Sequence, residues 1–199
     1  MGEHGARTDR TGTGKVSDED KVEGEVTFEK AKFTLRKVRD QLESVGSGAS
    51  GSSVPARVQI TWVGDQRYDT GRPGGATARI DGEGKTGQGP VDMLLSALAS
   101  CVAMDVVEIL KKRKTPVETL TAEVVGKRAD TTPRRLVHAR INWKIDGAGI
   151  DKESADRAVE LSTTKYCSVH DSLAHDIAIE WSITLNGKAG ETKLDPTRR

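Results

Sequence analysis

"GPVDMLLSALASCVAMDVVEILKKRK", residues 89 to 114, is the stretch on which the reading of this chain turns. Pro90 suits a first helical position, where its missing N–H costs nothing, and "KKRK" at the far end suits the negative pole of a helix. The spacing predicts a helix from Pro90 to about Lys112. Within it Leu94, Leu98, Cys101 and Asp105 follow at intervals of 4, 3 and 4, so they share one stripe. Cys101 therefore faces an interior or an interface, near an acid. The apolar run itself, Met93 to Met104, is broken by Ser96 and Ser100 and is too short to span a bilayer.

On either side the period changes to two. Upstream, Val58, Ile60 and Trp62 alternate with Gln59 and Thr61, and "ATARID" (residues 76–81) reads as a second strand after the turn "TGRPGG". Downstream, Leu120, Ala122 and Val124 alternate with polar residues, as do Val137, Ala139, Ile141, Trp143 and Ile145. The Thr-Thr-Pro turn between them makes these two strands an antiparallel hairpin. Asp151 to about Tyr166 predicts a second long helix that buries Ala155, Ala158, Val159, Leu161 and Ser162. Ser168 followed by Asp171 looks like a capping box, so a short third helix is expected after a break near Cys167. A last strand follows from the alternation of Ile177, Ile179, Trp181, Ile183 and Leu185. The order ββ, long α, ββ, long α, short α, β is α+β rather than doubly wound.

The remaining segments carry little to bury. Residues 1–27 are rich in Gly, Thr and charge with no apolar h-region, which predicts a disordered tail and no secretory signal. In residues 28–45, Phe28, Ala31, Leu35, Val38, Leu42 and Val45 recur as the stripe of an amphipathic helical arm. "GSGASGSSVP", residues 46–55, is a flexible linker, a domain is expected over 56–186, and 187–199 reads as a polar C-terminal tail. With 199 residues, 35% of them hydrophobic, and a formal net charge of +1, neither nucleic acid nor an anionic membrane is an expected partner. The cytoplasm is the expected compartment. There, two cysteines are either buried inert thiols or a redox pair.

Local chemistry leaves both readings of Cys101 open. It lies eleven residues past Pro90, far outside the first turn where the helix dipole favours a thiolate, and the negative Asp105 lies one turn on. Any activation must come from a cation elsewhere. Cys167 sits in "TTKYCSVHDSL", where a C-x-x-H spacing could let His170 hydrogen-bond the sulfur. No second ligand pair of matching spacing exists, so no metal and no cofactor is expected. "GEGKTGQG", residues 82–89, lacks the spacing of a phosphate-binding loop and reads as a mobile connector.

Taken together, the stretch 89–114, the hairpin, and "AVELSTTKYCSV" (residues 158–169) resemble the osmotically induced protein C and organic hydroperoxide resistance (OsmC/Ohr) family, in its OsmC-like branch. The resemblance covers about Arg57 to Leu185 and leaves out the N-terminal arm. It implies an OsmC-like fold of antiparallel sheets with two long central helices, assembled as an intertwined homodimer with sites at the subunit interface. By motif, Cys101 matches the family's peroxidatic cysteine and Cys167 its resolving one. The implied reaction reduces organic hydroperoxides, with a dithiol or a lipoylated protein as reductant. Arg67 or Arg72 would stand for the family's activating Arg; the Leu94 and Leu98 stripe would line an apolar substrate pocket, with Asp92 a further substrate-binding candidate. This chain departs at the position ten residues before Cys101, where the family has Glu and Val91 stands here; Asp92 beside it falls half a turn out of phase. That departure and Asp105 keep a second function in view, a dimeric OsmC-like stress or small-molecule-binding protein without efficient peroxidase turnover.

Overall fold

Alternation of Ile60 and Trp62 with polar neighbours produces β1 (Gln59–Trp62), the edge of a three-stranded antiparallel sheet completed by β2 (Arg67–Gly71) and β3 (Thr77–Asp81). The computed structural model describes residues 55–198, so the tail 1–27, the arm 28–45 and nearly all of the linker lie outside the described residues. Two strands were expected before the first helix and there are three. In β2, "RYDTG", Tyr68 is the sole large apolar residue, so the strand exists through its pairing on both sides and not through its own pattern. Gly64, at φ +106, makes the β1–β2 turn possible.

The connector 82–89 is not a loose loop. It winds around the buried carboxylate of Asp81, which accepts from the N–H groups of Glu83 (2.9 Å), Lys85 (3.1 Å) and Thr86 (2.8 Å) and from the Thr86 hydroxyl (2.8 Å). These donors hold the Asp81 carboxyl at about 2, below its usual 3.8, with the Thr86 hydroxyl the largest cause. The connector delivers the chain to α1 (Pro90–Lys112), where the Gly89 N–H donates to Asp92 Oδ2 at 3.0 Å. Asp92 is thus the carboxylate that closes the helix start. Lys114, at φ 65, ends the helix in a left-handed residue while the Thr115 N–H returns to the Leu110 carbonyl at 3.1 Å.

α1 is long and apolar enough, by length and composition, to cross a membrane. The expectation to the contrary stopped at Met104, whereas the helix stays apolar through Val106, Val107, Ile109 and Leu110. Leu95, Leu98, Ala99, Val102, Val106 and Leu110 are buried on one face, making α1 a core helix of this fold. They pack on the larger sheet, where β4 (Thr119–Arg128) and β5 (Leu136–Asp146) form the expected antiparallel hairpin. Gly126 in β4 allows the close approach: a Cβ there would stand 2.8 Å from Leu95 Cδ1.

α2 (Lys152–Leu161) starts at Asp151, whose carboxylate accepts from the Ser154 N–H at 2.7 Å, and runs into a π-helical turn at Ser162–Tyr166. α3 (Ser168–Ser172) follows. This crossover turns the chain round, so β6 (Ala178–Leu185) lies parallel to β5, with His138 opposite Ala178 and Ile145 opposite Leu185. The larger sheet is therefore mixed rather than antiparallel. Ala139, Ile141, Trp143 and Ile145 from β5 and Ile179, Trp181 and Ile183 from β6 complete the core under α1 and α2. The stretch read as a polar tail contributes β7 (Lys188–Ala189) and β8 (Lys193–Leu194), both antiparallel to β6, and then buries Asp195 and Arg198.

Candidate redox site

Two helical elements bring the cysteines together. Cys101 lies midway along α1, half-buried, and Cys167 lies at the junction between the π-helical turn and α3, only 3% exposed. The Cys167 N–H bonds back to the Ser162 carbonyl at 2.9 Å, the five-residue step that defines the wider turn. Thr163 and Thr164 donate their hydroxyls to the carbonyls one helical turn behind, at 2.8 Å each, which steadies the bend. The turn leaves Cys167 extended (φ −73, ψ 102) with its thiol in the neighbourhood of Cys101. Both thiols are free.

Burial pushes the Cys167 thiol up to about 12, and the adjacent Cys101 thiol adds to the rise. Opposing them, the His170 N–H donates to Cys167 Sγ at 3.2 Å, which also makes Cys167, rather than Ser168, the cap of α3. The reason is backbone geometry: Ser168 is already helical, and Cys167 is the last residue that is not. A thiol so buried, and held so firmly in its protonated form, is a poor first nucleophile. Cys101 is the more exposed of the two.

His170 uses its backbone, not its ring, on the sulfur. The ring Nε2 lies 2.5 Å from Asp195 Oδ2 and 2.9 Å from Arg198 Nε, all three side chains buried. Burial works against the Asp195 anion, yet the Thr197 hydroxyl and N–H and the His170 ring outweigh it and hold the carboxyl below its usual value. Asp195 and Arg198 were not among the expected site residues. The one local signal is D-x-T, in which Asp195 accepts from both the N–H (2.8 Å) and hydroxyl (2.6 Å) of Thr197 as in an Asx-turn.

The other expected site residues do not gather here. Arg67 pairs with Asp65 at 2.8 Å beside the β1–β2 turn, and Arg72 is exposed in the β2–β3 turn. Among the described residues neither donates a hydrogen bond to a cysteine sulfur. Asp92 is occupied by the Gly89 N–H. Leu94 is 37% exposed while Leu98 is sealed in the core, so the two do not line one opening in the single chain. Leu94 and Met104 flank Cys101 along the open side of α1.

Residues 82–182 match the family described as OsmC-like protein. The chain belongs to that family. Protein YhfA of Escherichia coli strain K12 is 30% identical over 114 residues, which cover 57% of this chain and 85% of YhfA. Two solved structures share the fold. One is a hypothetical protein from Aquifex aeolicus VF5, with 24% identity and a TM-score of 0.56, covering 67% of this chain and 99% of that one. The other is an OsmC-like protein from Mycoplasma pneumoniae, with 18% identity and a TM-score of 0.58, covering 66% and 97%. The matched span of this OsmC-like chain includes both cysteines and His170, and ends before Asp195 and Arg198.

Proposed function

We propose that this chain is a thiol-dependent peroxidase that reduces organic hydroperoxides through Cys101 and Cys167. The observation that carries the reading is that the half-buried Cys101 on α1 lies close enough to the sealed Cys167 at the head of α3 to act on its thiol. In the first step the Cys101 thiolate attacks the distal peroxide oxygen. The O–O bond breaks, Cys101 becomes a sulfenic acid, and the alkoxide leaves to take up a proton as the alcohol. Cys167 then attacks the sulfenic sulfur, and its proton and the displaced hydroxide depart as water. Two thiols have given two electrons and hold a disulfide, which an external dithiol, small or carried on a lipoylated protein, reduces. Such a cycle belongs in a reducing compartment, the cytoplasm.

The substrate class follows from the walls. Leu94 and Met104 on either side of Cys101 suit an alkyl or aryl peroxide better than hydrogen peroxide. Ile60, Trp62 and Tyr68 share one face of the small sheet and are exposed, as is Val58 just before β1, an apolar patch that a monomer would leave in water. A homodimer covers it and lets a partner's Arg67 or Arg72 serve as the activating cation for Cys101.

The second reading, a dimeric stress or small-molecule-binding protein without efficient turnover, is favoured by Val91 and by the Asp65 pairing of Arg67. Steady-state reduction of cumene hydroperoxide and of hydrogen peroxide with a dithiol reductant separates the two. Turnover that prefers cumene hydroperoxide and disappears in Cys101→Ser supports the peroxidase. Rates no higher than those of the Cys101→Ser, Cys167→Ser double variant would leave only the binding reading.

A further inference from the structure

We propose that the C-terminal segment Asp195–Arg198 is a clamp that holds Cys167 against Cys101, with His170, Asp195 and Arg198 as positioning residues. This rests on the redox-pair reading above. α3 has five residues, too few to persist alone, and Cys167 is its cap. What holds α3 comes from the far end of the chain. The Arg198 guanidinium donates through Nη1 to the carbonyls of Leu173 (3.2 Å) and Ala174 (2.6 Å), and through Nη2 to the carbonyl of His170. Its Nε meets the His170 ring at 2.9 Å. One guanidinium thus gathers three carbonyls at the end of α3, two of which, His170 and Ala174, also accept the N–H groups of Leu173 and Ile177.

Asp195 completes the lock. Its Oδ2 meets the His170 ring and lies 3.7 Å from Arg198 Nε, while Oδ1 is taken by Thr197, so the buried guanidinium has its counter-charge. β8 pairs antiparallel with β6, Glu180 opposite Leu194, and anchors the residue before Asp195 to the main sheet. The chain of contacts therefore runs from the sheet through Asp195 and Arg198 to the ring and carbonyl of His170. From there the His170 N–H reaches Cys167 Sγ. A buried Asp195–Arg198 pair that closes on His170, three residues from one of the chain's two cysteines, is more than α3 needs to exist; it sets where the sulfur stands.

The test uses the full chain with Arg198→Ala, Arg198→Lys and His170→Asn. In the reduced proteins, N-ethylmaleimide labelling of each cysteine is followed by peptide mass spectrometry. The clamp predicts that Cys167 labelling rises about tenfold or more in Arg198→Ala and His170→Asn, with Cys101 unchanged and Arg198→Lys intermediate. After one equivalent of cumene hydroperoxide, sulfenic acid formation at Cys101 should keep its wild-type rate. Closure to the Cys101–Cys167 disulfide should slow about tenfold, so that dimedone traps the sulfenic acid. Unchanged Cys167 labelling in both variants overturns the clamp, as does a parallel rise at both cysteines, which would mean general loosening. A wild-type protein that forms no disulfide sinks the redox pair instead, and the labelling arm still decides the clamp.

Discussion

Iodoacetamide offered to the reduced native protein at pH 7 should alkylate Cys101 and leave Cys167 behind. The thiolate is the reacting species, and burial, helped by the neighbouring Cys101 thiol, raises Cys167 from 9.0 to about 12. At any pH well below 9 a rise of that size lowers the thiolate fraction about a thousandfold. With only 3% of the residue exposed, access multiplies the protection further. The expected native rate at Cys167 is therefore about a thousandth of its rate in guanidinium chloride, or less. Timed quenching and peptide mass spectrometry measure both cysteines in one sample. Because the raised value favours the neutral thiol, its contribution to stability is intact below about 9 and is lost as the pH climbs toward 12, where the unfolded chain gives up the proton first. Cys167→Ala should remove that part of the alkaline loss. Native alkylation of Cys167 within about tenfold of the unfolded rate would refute the burial on which the assignment of roles depends.

Leu98→Ala empties a fully buried site under α1 and should cost about 2–5 kcal/mol in denaturant or thermal unfolding. Leu94→Ala, on the open side of the same helix, should cost less than about 0.5 kcal/mol, and equal losses would mean that the helix is turned the other way. Asp81→Asn should strip hydrogen-exchange protection from the amides of Glu83, Lys85 and Thr86. Since the Asp81 carboxyl is held down at about 2, its stabilisation is full above 3.8 and lost as pH falls through the lower value; the Asn variant should lack that acid dependence. Light scattering at micromolar concentration should give a dimer mass. Ile60→Glu, at a position 61% exposed in the single chain, should weaken association at least about tenfold, since burying Ile is worth about 1.5–3 kcal/mol. A wild-type monomer, or an unaffected variant, would contradict coverage of the small sheet by a second copy.

Much of this fold is legible because its signals are local. Pro90 and "KKRK" bracket α1, alternation from Val137 to Ile145 marks β5, and Asp151 announces α2 with the oxygen that caps it. Each rests on a period or a cap formed within a few residues, which the chain carries wherever it folds. β2 was invisible for the opposite reason: four of the five residues of "RYDTG" have no strand pattern, and partners on both sides impose one. The connector 82–89 looked mobile because its glycines are visible while the role of Asp81 as the common acceptor of Glu83, Lys85 and Thr86 is not.

Sequence alone determined α1, the β4–β5 hairpin and β6, and placed Cys101 on a helix and Cys167 near a break between two helical segments. It also carried the family resemblance, through "MLLSALASCVAMDVVEIL" and "STTKYCSV". Tertiary structure decided what those segments do to each other. It sets β6 parallel to β5, because only the path of the crossover fixes direction. It brings Cys167 into the neighbourhood of Cys101 by means of a π-helical turn that no spacing announces. It converts Asp195 and Arg198 from solvated tail residues into the buried partners of His170. Hydrophobic burial can be read from a pattern because water acts alike on every apolar side chain. A charge goes inside only when a specific opposite group waits there, and here the groups are separated by 25 and 28 positions of chain.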